Sequence, residues 1–228
     1  MRVWQRIKGH LHARWRSLRE NNVFSQKQHW QEELAKYDWT SDKLFGYAWG
    51  DPESPKSHLG NYLEIKNRLV GQLTPGMVVV EIGSLGGKWT QYLLPAQEIV
   101  CVDINDLGFD YIRRKLPHPH IRFYLTKGDE LRGIADGAVD LIFSMDSLVR
   151  VPKKFLANYF KEFYRVLKPS GKIFIHLPCL SQAESRRRVF VDLTLAEIEH
   201  LCRVNRFHGI SIDQNVLTHG VMVEAVKA

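Results

Sequence analysis

From residue 76 onward, short apolar runs alternate with helix-periodic stretches, and that alternation admits few folds. Met77-Val-Val-Val-Glu-Ile82 is a β-branched run bounded by Pro75-Gly76 and Gly83, which reads as a buried strand. Ile99–Asp103, Ile121–Leu125, Val139–Ser144 and Lys172–His176 read as four more strands. Helical patterns separate them, over Lys88–Leu94, near Phe109–Lys115 and after Pro152, where Phe155, Leu156, Tyr159, Phe160, Phe163, Tyr164 and Leu167 recur at three-to-four spacing. Lys168-Pro-Ser-Gly171 ends that helix, and Thr194-Leu-Ala-Glu197 is a capping box that starts another. Strands separated by helices imply a parallel sheet with right-handed crossovers, hence a doubly wound α/β domain. The last two stretches, about Gly209–Ile212 and Gly220–Val226, lie so close together that one of them is expected to run antiparallel to the rest.

Residues 1–75 differ in character and are read as an N-terminal helical arm and cap, with 76–228 as the main domain. Val3–Leu18 is expected as a basic amphipathic helix, Gln26–Tyr37 as a second and about His58–Leu73 as a third. Between the last two lies Phe45-Gly-Tyr-Ala-Trp-Gly-Asp-Pro-Glu53, an aromatic loop rich in turn formers.

Composition excludes some classes. A chain of 228 residues with 44% hydrophobic and 25% charged residues is an ordinary globular one. Its longest apolar run falls short of the roughly 20 residues that span a bilayer. Three widely spaced cysteines, Cys101, Cys179 and Cys202, form neither a disulfide framework nor a zinc site, so no metal is expected and the compartment is read as cytoplasmic. The basic residues Arg2, Arg6, Lys8, Arg14, Arg16 and Arg19 precede the first carboxylate, Glu20. They suit a solvated helix, with nucleic acid or a peripheral membrane contact as the less favoured readings.

In such a fold a ligand sits beyond the C-terminal ends of the strands. After the first strand stands Glu81-Ile-Gly83-Ser-Leu-Gly86-Gly87-Lys-Trp-Thr90. Glycines there let the backbone approach a ligand closely. The spacing is not that of a P-loop, because Gly83 is followed by only three residues before Gly87-Lys88 and Trp89 comes next; Leu85 breaks a dinucleotide fingerprint. The second strand ends in Asp103, 20 residues after Gly83, where a carboxylate can accept two hydrogen bonds from ribose hydroxyls. Gly128-Asp129-Glu130 follows the third strand, where a carboxylate can take a hydrogen bond from an adenine amino group.

Five segments in this order carry a resemblance. Glu81–Thr90, Asp103, Gly128-Asp-Glu-Leu131, Asp136-Gly-Ala-Val-Asp-Leu-Ile-Phe-Ser-Met-Asp-Ser-Leu148, and Phe163-Tyr-Arg-Val-Leu-Lys-Pro-Ser-Gly-Lys172 through Pro178 resemble the class I S-adenosylmethionine-dependent methyltransferases, in particular their small-molecule and biosynthetic enzymes. The resemblance covers roughly 76–227 and implies a seven-stranded Rossmann-like sheet and S-adenosyl-L-methionine as cofactor. It also implies that Glu81, Gly83, Ser84, Gly86 and Gly87 hold the methionine part and Asp103 the ribose. Ile104 would lie against the adenine, Asp129 and Glu130 would border it, and Ser144, Met145 and Asp146 would line the cofactor beside the substrate. Two positions depart from it: Leu85 stands where the family often has glycine, with Gly86 expected to substitute through a shifted turn, and Val149-Arg150 stands where it often has histidine.

On this reading the chain moves a methyl group to an O or N atom of a small molecule or glycan precursor. The alternatives are an RNA methyltransferase, or a cofactor-binding protein without catalysis whose helical arm binds a membrane or a partner. His176 and Asp146 are the candidates for a catalytic proton acceptor. Trp49 and Asp51 on the aromatic loop, and Arg186 and Arg187 after the fifth strand, are the candidates for substrate contact, the arginines because a guanidinium suits a phosphate or carboxylate.

Overall fold

The β-branched runs form the strands that their patterning predicts. A computed structural model describes residues 23–36, 47, 50–55, 57–188 and 190–228; the expected helix Val3–Leu18 lies outside the described residues. The elements run α1 Val23–Ala35, α2 Tyr62–Val70, β1 Val78–Ile82, α3 Thr90–Leu93, β2 Glu98–Asp103, α4 Leu107–Lys115, β3 Ile121–Leu125, β4 Val139–Ser144, α5 Lys153–Val166, β5 Leu167–Leu177, α6 Ala183–Arg187, α7 Leu195–Val204, β6 Phe207–Asp213 and β7 Val221–Lys227. One 3-10 turn, Leu148–Arg150, follows β4. No helix among the described residues is long and apolar enough to cross a membrane.

Seven strands form one sheet in the order β3-β2-β1-β4-β5-β7-β6. β1 pairs in parallel with β2 and β4, β2 with β3, and β4 with β5. β7 is the antiparallel strand, inserted between β5 and β6. The boundary between α5 and β5 is sharper than expected. Leu167 caps α5 and already pairs with Val139, and Lys168–Gly171, with Ser170 at φ 65°, bulge out before pairing resumes at Lys172 opposite Leu141.

Both faces of the sheet are covered, which is why its strands read as continuous apolar runs rather than alternating ones. Val80, Ile82, Val100, Val102, Ile142 and Ile175 face α5 and α7, where Leu156, Tyr159, Phe160, Phe163, Ile198 and Cys202 are buried. Val79, Ile99, Cys101, Phe143 and Phe174 face the other way, against Tyr62, Ile65 and Leu69 of α2, Leu93 of α3 and Phe109 and Ile112 of α4. Helix α2 thus closes one face of the sheet. It is shorter than its apolar pattern because Asn61 caps it, its side chain accepting from the Glu64 N–H, while Leu59 and Gly60 are drawn into contact with the segment before β7. A Cβ on Gly60 would stand 2.3 Å from the Val216 carbonyl oxygen, so only glycine allows that approach.

The Thr194 capping box is complete, the hydroxyl accepting from the Glu197 N–H and the Glu197 carboxylate accepting from the Thr194 N–H. Thr194→Ala is expected to cost about 1 kcal/mol, seen as a lower urea midpoint with an unchanged denaturant slope.

Candidate functional site

β1 lies between β2 and β4, so the chain leaves it first toward one edge of the sheet and later toward the other. A crevice opens at such a reversal, beyond the carboxyl ends of the strands. The glycine loop forms its floor. Gly83 (φ 80°), Leu85 (φ 43°) and Gly87 (φ 87°) take left-handed conformations. Gly86 is not among them, so the turn is not shifted onto Gly86: Leu85 itself adopts the strained conformation at the position where the resembling family has glycine. The loop is pinned on both sides. Its Gly83 N–H donates to the Val102 carbonyl at 2.7 Å, its Leu85 N–H to Asp103 Oδ2 at 2.9 Å, and a Cβ on Gly108 would stand 1.8 Å from the Leu85 carbonyl oxygen.

Asp103 sits at the end of β2 with its other oxygen, Oδ1, accepting from the Asn105 N–H at 2.9 Å. Burial pushes its carboxyl up to about 6, opposed by the N–H groups of Leu85, Asn105 and Ile104. The two oxygens have four acceptor positions between them, and the three N–H groups leave one for a ligand hydroxyl. Asn105 is fully buried and its Nδ2 has no acceptor, while a Cβ on Gly83 would stand 2.0 Å from Ser147 Oγ, so glycine there lets the Ser147 side chain close on the loop. Such an orphaned donor fits a polar ligand bound here. Glu81 lies beneath the loop, fully buried, accepting from Thr90 Oγ1 at 2.5 Å and pushed up to about 7 by burial.

The other residues expected to hold the cofactor have differing engagements. Asp129 accepts from Asn158 Nδ2 at 2.8 Å, and Asp129 and Asp103 both act electrostatically on the Tyr159 phenol. Glu130 is ion-paired with Arg132 at 2.8 Å. Ser84 is buried and Ile104 half-buried. The Ser144 hydroxyl is spent on the Ile82 carbonyl, at 2.9 Å, tying β4 to the end of β1, and Met145 is buried in the core on the α2 side.

Asp146 gathers a second set of groups. Its backbone is left-handed (φ 60°), and its Oδ1 lies 2.8 Å from His219 Nε2 and 3.2 Å from His176 Nδ1. Its Oδ2 accepts from the Tyr62 hydroxyl at 3.0 Å and lies 3.8 Å from Lys88 Nζ. Burial alone would raise this carboxyl. The hydrogen bonds from His176 and His219, with the charges of His219 and Lys88, outweigh it and hold Asp146 well below the usual aspartate range. The Lys88 ammonium is buried against the Tyr62 and Trp89 rings and donates to the Gly50 carbonyl at 3.2 Å. An ion pair at that separation from Asp146 is worth about 4 kcal/mol before desolvation, yet desolvation wins and the lysine is lowered from its ordinary value. His176, expected at the end of β5 as a proton acceptor, is wholly buried under Gly220 and pushed down to about 4 by burial, so it is a neutral ring at pH 7.

His219, Tyr62 and Lys88 were not among the residues that the sequence singles out. Tyr62 reads as one more apolar position of α2, and His219 lies 157 residues further on, in the loop before β7. Lys88 carried a signal, standing directly after the glycine loop. Of the expected substrate contacts, Trp49 and the Arg187 side chain lie outside the described residues. Asp51 caps a turn through the Glu53 N–H and acts electrostatically on Lys88. Arg186 is exposed and donates to the Leu180 carbonyl.

Comparison with known proteins agrees with this geometry. Residues 80–175 match the model of a methyltransferase domain family. A methyltransferase-like protein of Schizosaccharomyces pombe is 31% identical over 100 residues, 42% of this chain and 36% of that protein. The thiol S-methyltransferase TMT1B of Homo sapiens is 28% identical over 104 residues, 43% of this chain and 41% of that protein. The chain thus matches about two fifths of the length of these relatives. A Haemonchus contortus phosphoethanolamine N-methyltransferase, solved with phosphomonomethylethanolamine and S-adenosylhomocysteine, superposes with a TM-score of 0.62 at 15% identity, over 80% of this chain and 56% of that one. At that identity the likeness speaks for the fold.

Removing the hub of the second set should be costly. Asp146→Ala is expected to destabilise the protein by about 3 kcal/mol at neutral pH, because it removes the carboxylate that faces the buried Lys88 ammonium and accepts from the Tyr62 hydroxyl. A carboxyl held below its unfolded value stabilises fully above that value, 3.8, and loses its effect as pH falls through the lower folded one. The deficit measured by denaturant unfolding should therefore be constant above pH 4 and narrow in more acid solution.

Proposed function

We propose, from the methyltransferase domain that residues 80–175 form, that this protein transfers the methyl group of S-adenosylmethionine to an O or N atom of a small molecule or glycan precursor. The observation that carries this reading is the Asp103 carboxylate standing beside a left-handed glycine loop at the reversal of the sheet, with the Asp146 set adjoining it at the end of β4. When bound, the cofactor supplies a methyl group activated by a sulfonium centre.

The residues have distinct tasks in this reading. Asp103 accepts from the ribose through the acceptor position that its three N–H partners leave open. The Gly83–Gly87 loop, with Glu81 and Ser84 beneath it, takes the methionine part, and Ile104, Asp129 and Glu130 border the adenine. Met145 and Asp146 separate this part of the crevice from the acceptor. Displacement of a methyl group is governed by alignment, so a rigid site contributes most of the acceleration. An acceptor hydroxyl or ammonium must also lose a proton. We assign its reception to the Asp146–His219 pair. The His219 ring is held between the Leu59 carbonyl, 3.1 Å from Nδ1, and Asp146 Oδ1, 2.8 Å from Nε2. His176, neutral and without an outlet to solvent, positions Asp146 rather than receiving the proton.

The basic stretch between Arg2 and Arg19 favours a second reading, an RNA methyltransferase. It requires RNA affinity that falls steeply with salt; affinity absent at 50 mM salt removes it.

Calorimetry with S-adenosylhomocysteine tests the first reading. Binding is expected, and Asp103→Ala should weaken it at least about 10-fold, or 1.4 kcal/mol. Because the ionised carboxylate is the acceptor, affinity should be full above pH 6 and decline as the solution is acidified through the Asp103 value of about 6. Undiminished binding by a folded Asp103→Ala variant would overturn the reading. In a methyl-transfer assay, His219→Ala should lower kcat by about 100-fold with S-adenosylhomocysteine affinity unchanged.

A further inference from the structure

The widely spaced cysteines offer no metal site, but the fold assembles a different set of ligand atoms. Asp146 Oδ1, His219 Nε2 and His176 Nδ1 all lie within 4.8 Å of one another. Among the described residues no other group of three or more histidine, cysteine or carboxylate side chains converges in this way. The His219 nitrogen is 2.8 Å from Oδ1 and the His176 nitrogen 3.2 Å from it. Bonds of about 2.0–2.2 Å from imidazoles and a carboxylate to one ion put the ligand atoms about 3.0–3.5 Å apart. Both pairs stand close to that spacing.

The surroundings of His219 favour a cation between these atoms. The Leu59 carbonyl oxygen faces Nδ1 at 3.1 Å and Asp146 Oδ1 faces Nε2, and both oxygens are acceptors. A neutral imidazole carries one N–H and can satisfy only one of the two. With an ion between Nε2 and Oδ1, that N–H goes to Leu59, and a backbone carbonyl is a usual partner for the outer nitrogen of a metal-bound histidine. The two rings are buried and Asp146 is half-buried, so an ion held here has its open positions on the Asp146 side.

The local charge selects the kind of ion. Lys88 Nζ stands 3.8 Å from the other carboxylate oxygen, Oδ2, and opposes any cation. An ion must therefore gain from its ligand bonds rather than from net charge. Magnesium and calcium seek several oxygens and meet a single carboxylate. Zinc and its neighbours in the first transition row bind imidazole well.

We propose that Asp146, His176 and His219 form a binding site for a divalent transition-metal ion of the zinc class. The site stands independently of the methyltransferase reading. Within that reading, the ion and the proton of the methyl acceptor compete for His219 Nε2 and Asp146 Oδ1, so the pair holds one or the other.

Calorimetry on the full chain, treated with a chelator and titrated with Zn²⁺ and with Mg²⁺, tests the site. Zn²⁺ should bind, and Mg²⁺ should bind at least about 100-fold more weakly. His219→Gln and Asp146→Asn should each weaken Zn²⁺ binding at least about 10-fold. His118→Gln should leave it unchanged, although His118 and His120 form a second histidine pair with ring centroids 5.2 Å apart. Anomalous scattering at the zinc edge from crystals of the unaltered protein should place the ion between the three side chains, a result that does not depend on any variant folding. The proposal is overturned if the parent binds no Zn²⁺, if Mg²⁺ binds as tightly, or if no anomalous peak lies between these side chains. It is equally overturned if folded His219→Gln or Asp146→Asn binds Zn²⁺ like the parent, or if His118→Gln weakens binding as much as they do.

Discussion

The hydrogen bond from the Leu85 N–H to Asp103 Oδ2 is the constraint on which the rest of the site depends. It joins the loop after β1 to the end of β2 and holds Leu85 in a left-handed conformation that an L-residue with a branched side chain avoids. A strain of this kind persists only where the surroundings over-determine it. Here they do: the Gly83 N–H is bound to the Val102 carbonyl on one side, and the Leu85 carbonyl rests on Gly108 of α4 on the other. The loop is therefore a rigid floor, and the same carboxylate that shapes it is left with an acceptor position for a ligand.

The second half of the site works by charge rather than by backbone shape. Asp146 is the one carboxylate that touches Lys88, Tyr62, His176 and His219 together. Its ionised form is held by the Tyr62 hydroxyl from α2, by the Lys88 ammonium directly after the glycine loop and by His219 from the β6–β7 connection. Burial works against every one of these charges, and its competition with pairing comes out differently at each: Asp146 stays ionised, Lys88 is weakened, and His176 is neutral.

Much of this was legible residue by residue. The β-branched runs gave β1 to β4 to within a residue at either end, because a strand covered on both faces must be apolar throughout. The Thr194–Glu197 capping box and the antiparallel last strand were equally readable. The departures have local causes. Strand β5 begins at Leu167 rather than Lys172 because the Lys168–Gly171 turn bulges out of the strand instead of preceding it. Gly86 does not take over from Leu85, because the Asp103 hydrogen bond holds the turn in place at Leu85.

The sequence by itself determined the layered α/β architecture and the glycine loop with its distant carboxylate. These depend on the alternation of short apolar runs and on spacing along one chain, and both are visible in one dimension. Only the tertiary structure decided the company of Asp146. Tyr62, Lys88, His176 and His219 come from four separated segments; His176 reads alone as a candidate proton acceptor, and the other three as core positions or surface charges. They become a site because α2 closes over the sheet beside the segment before β7, bringing groups 157 residues apart within 3.4 Å. No periodicity in the chain records that contact, since it is set by how two packed layers meet.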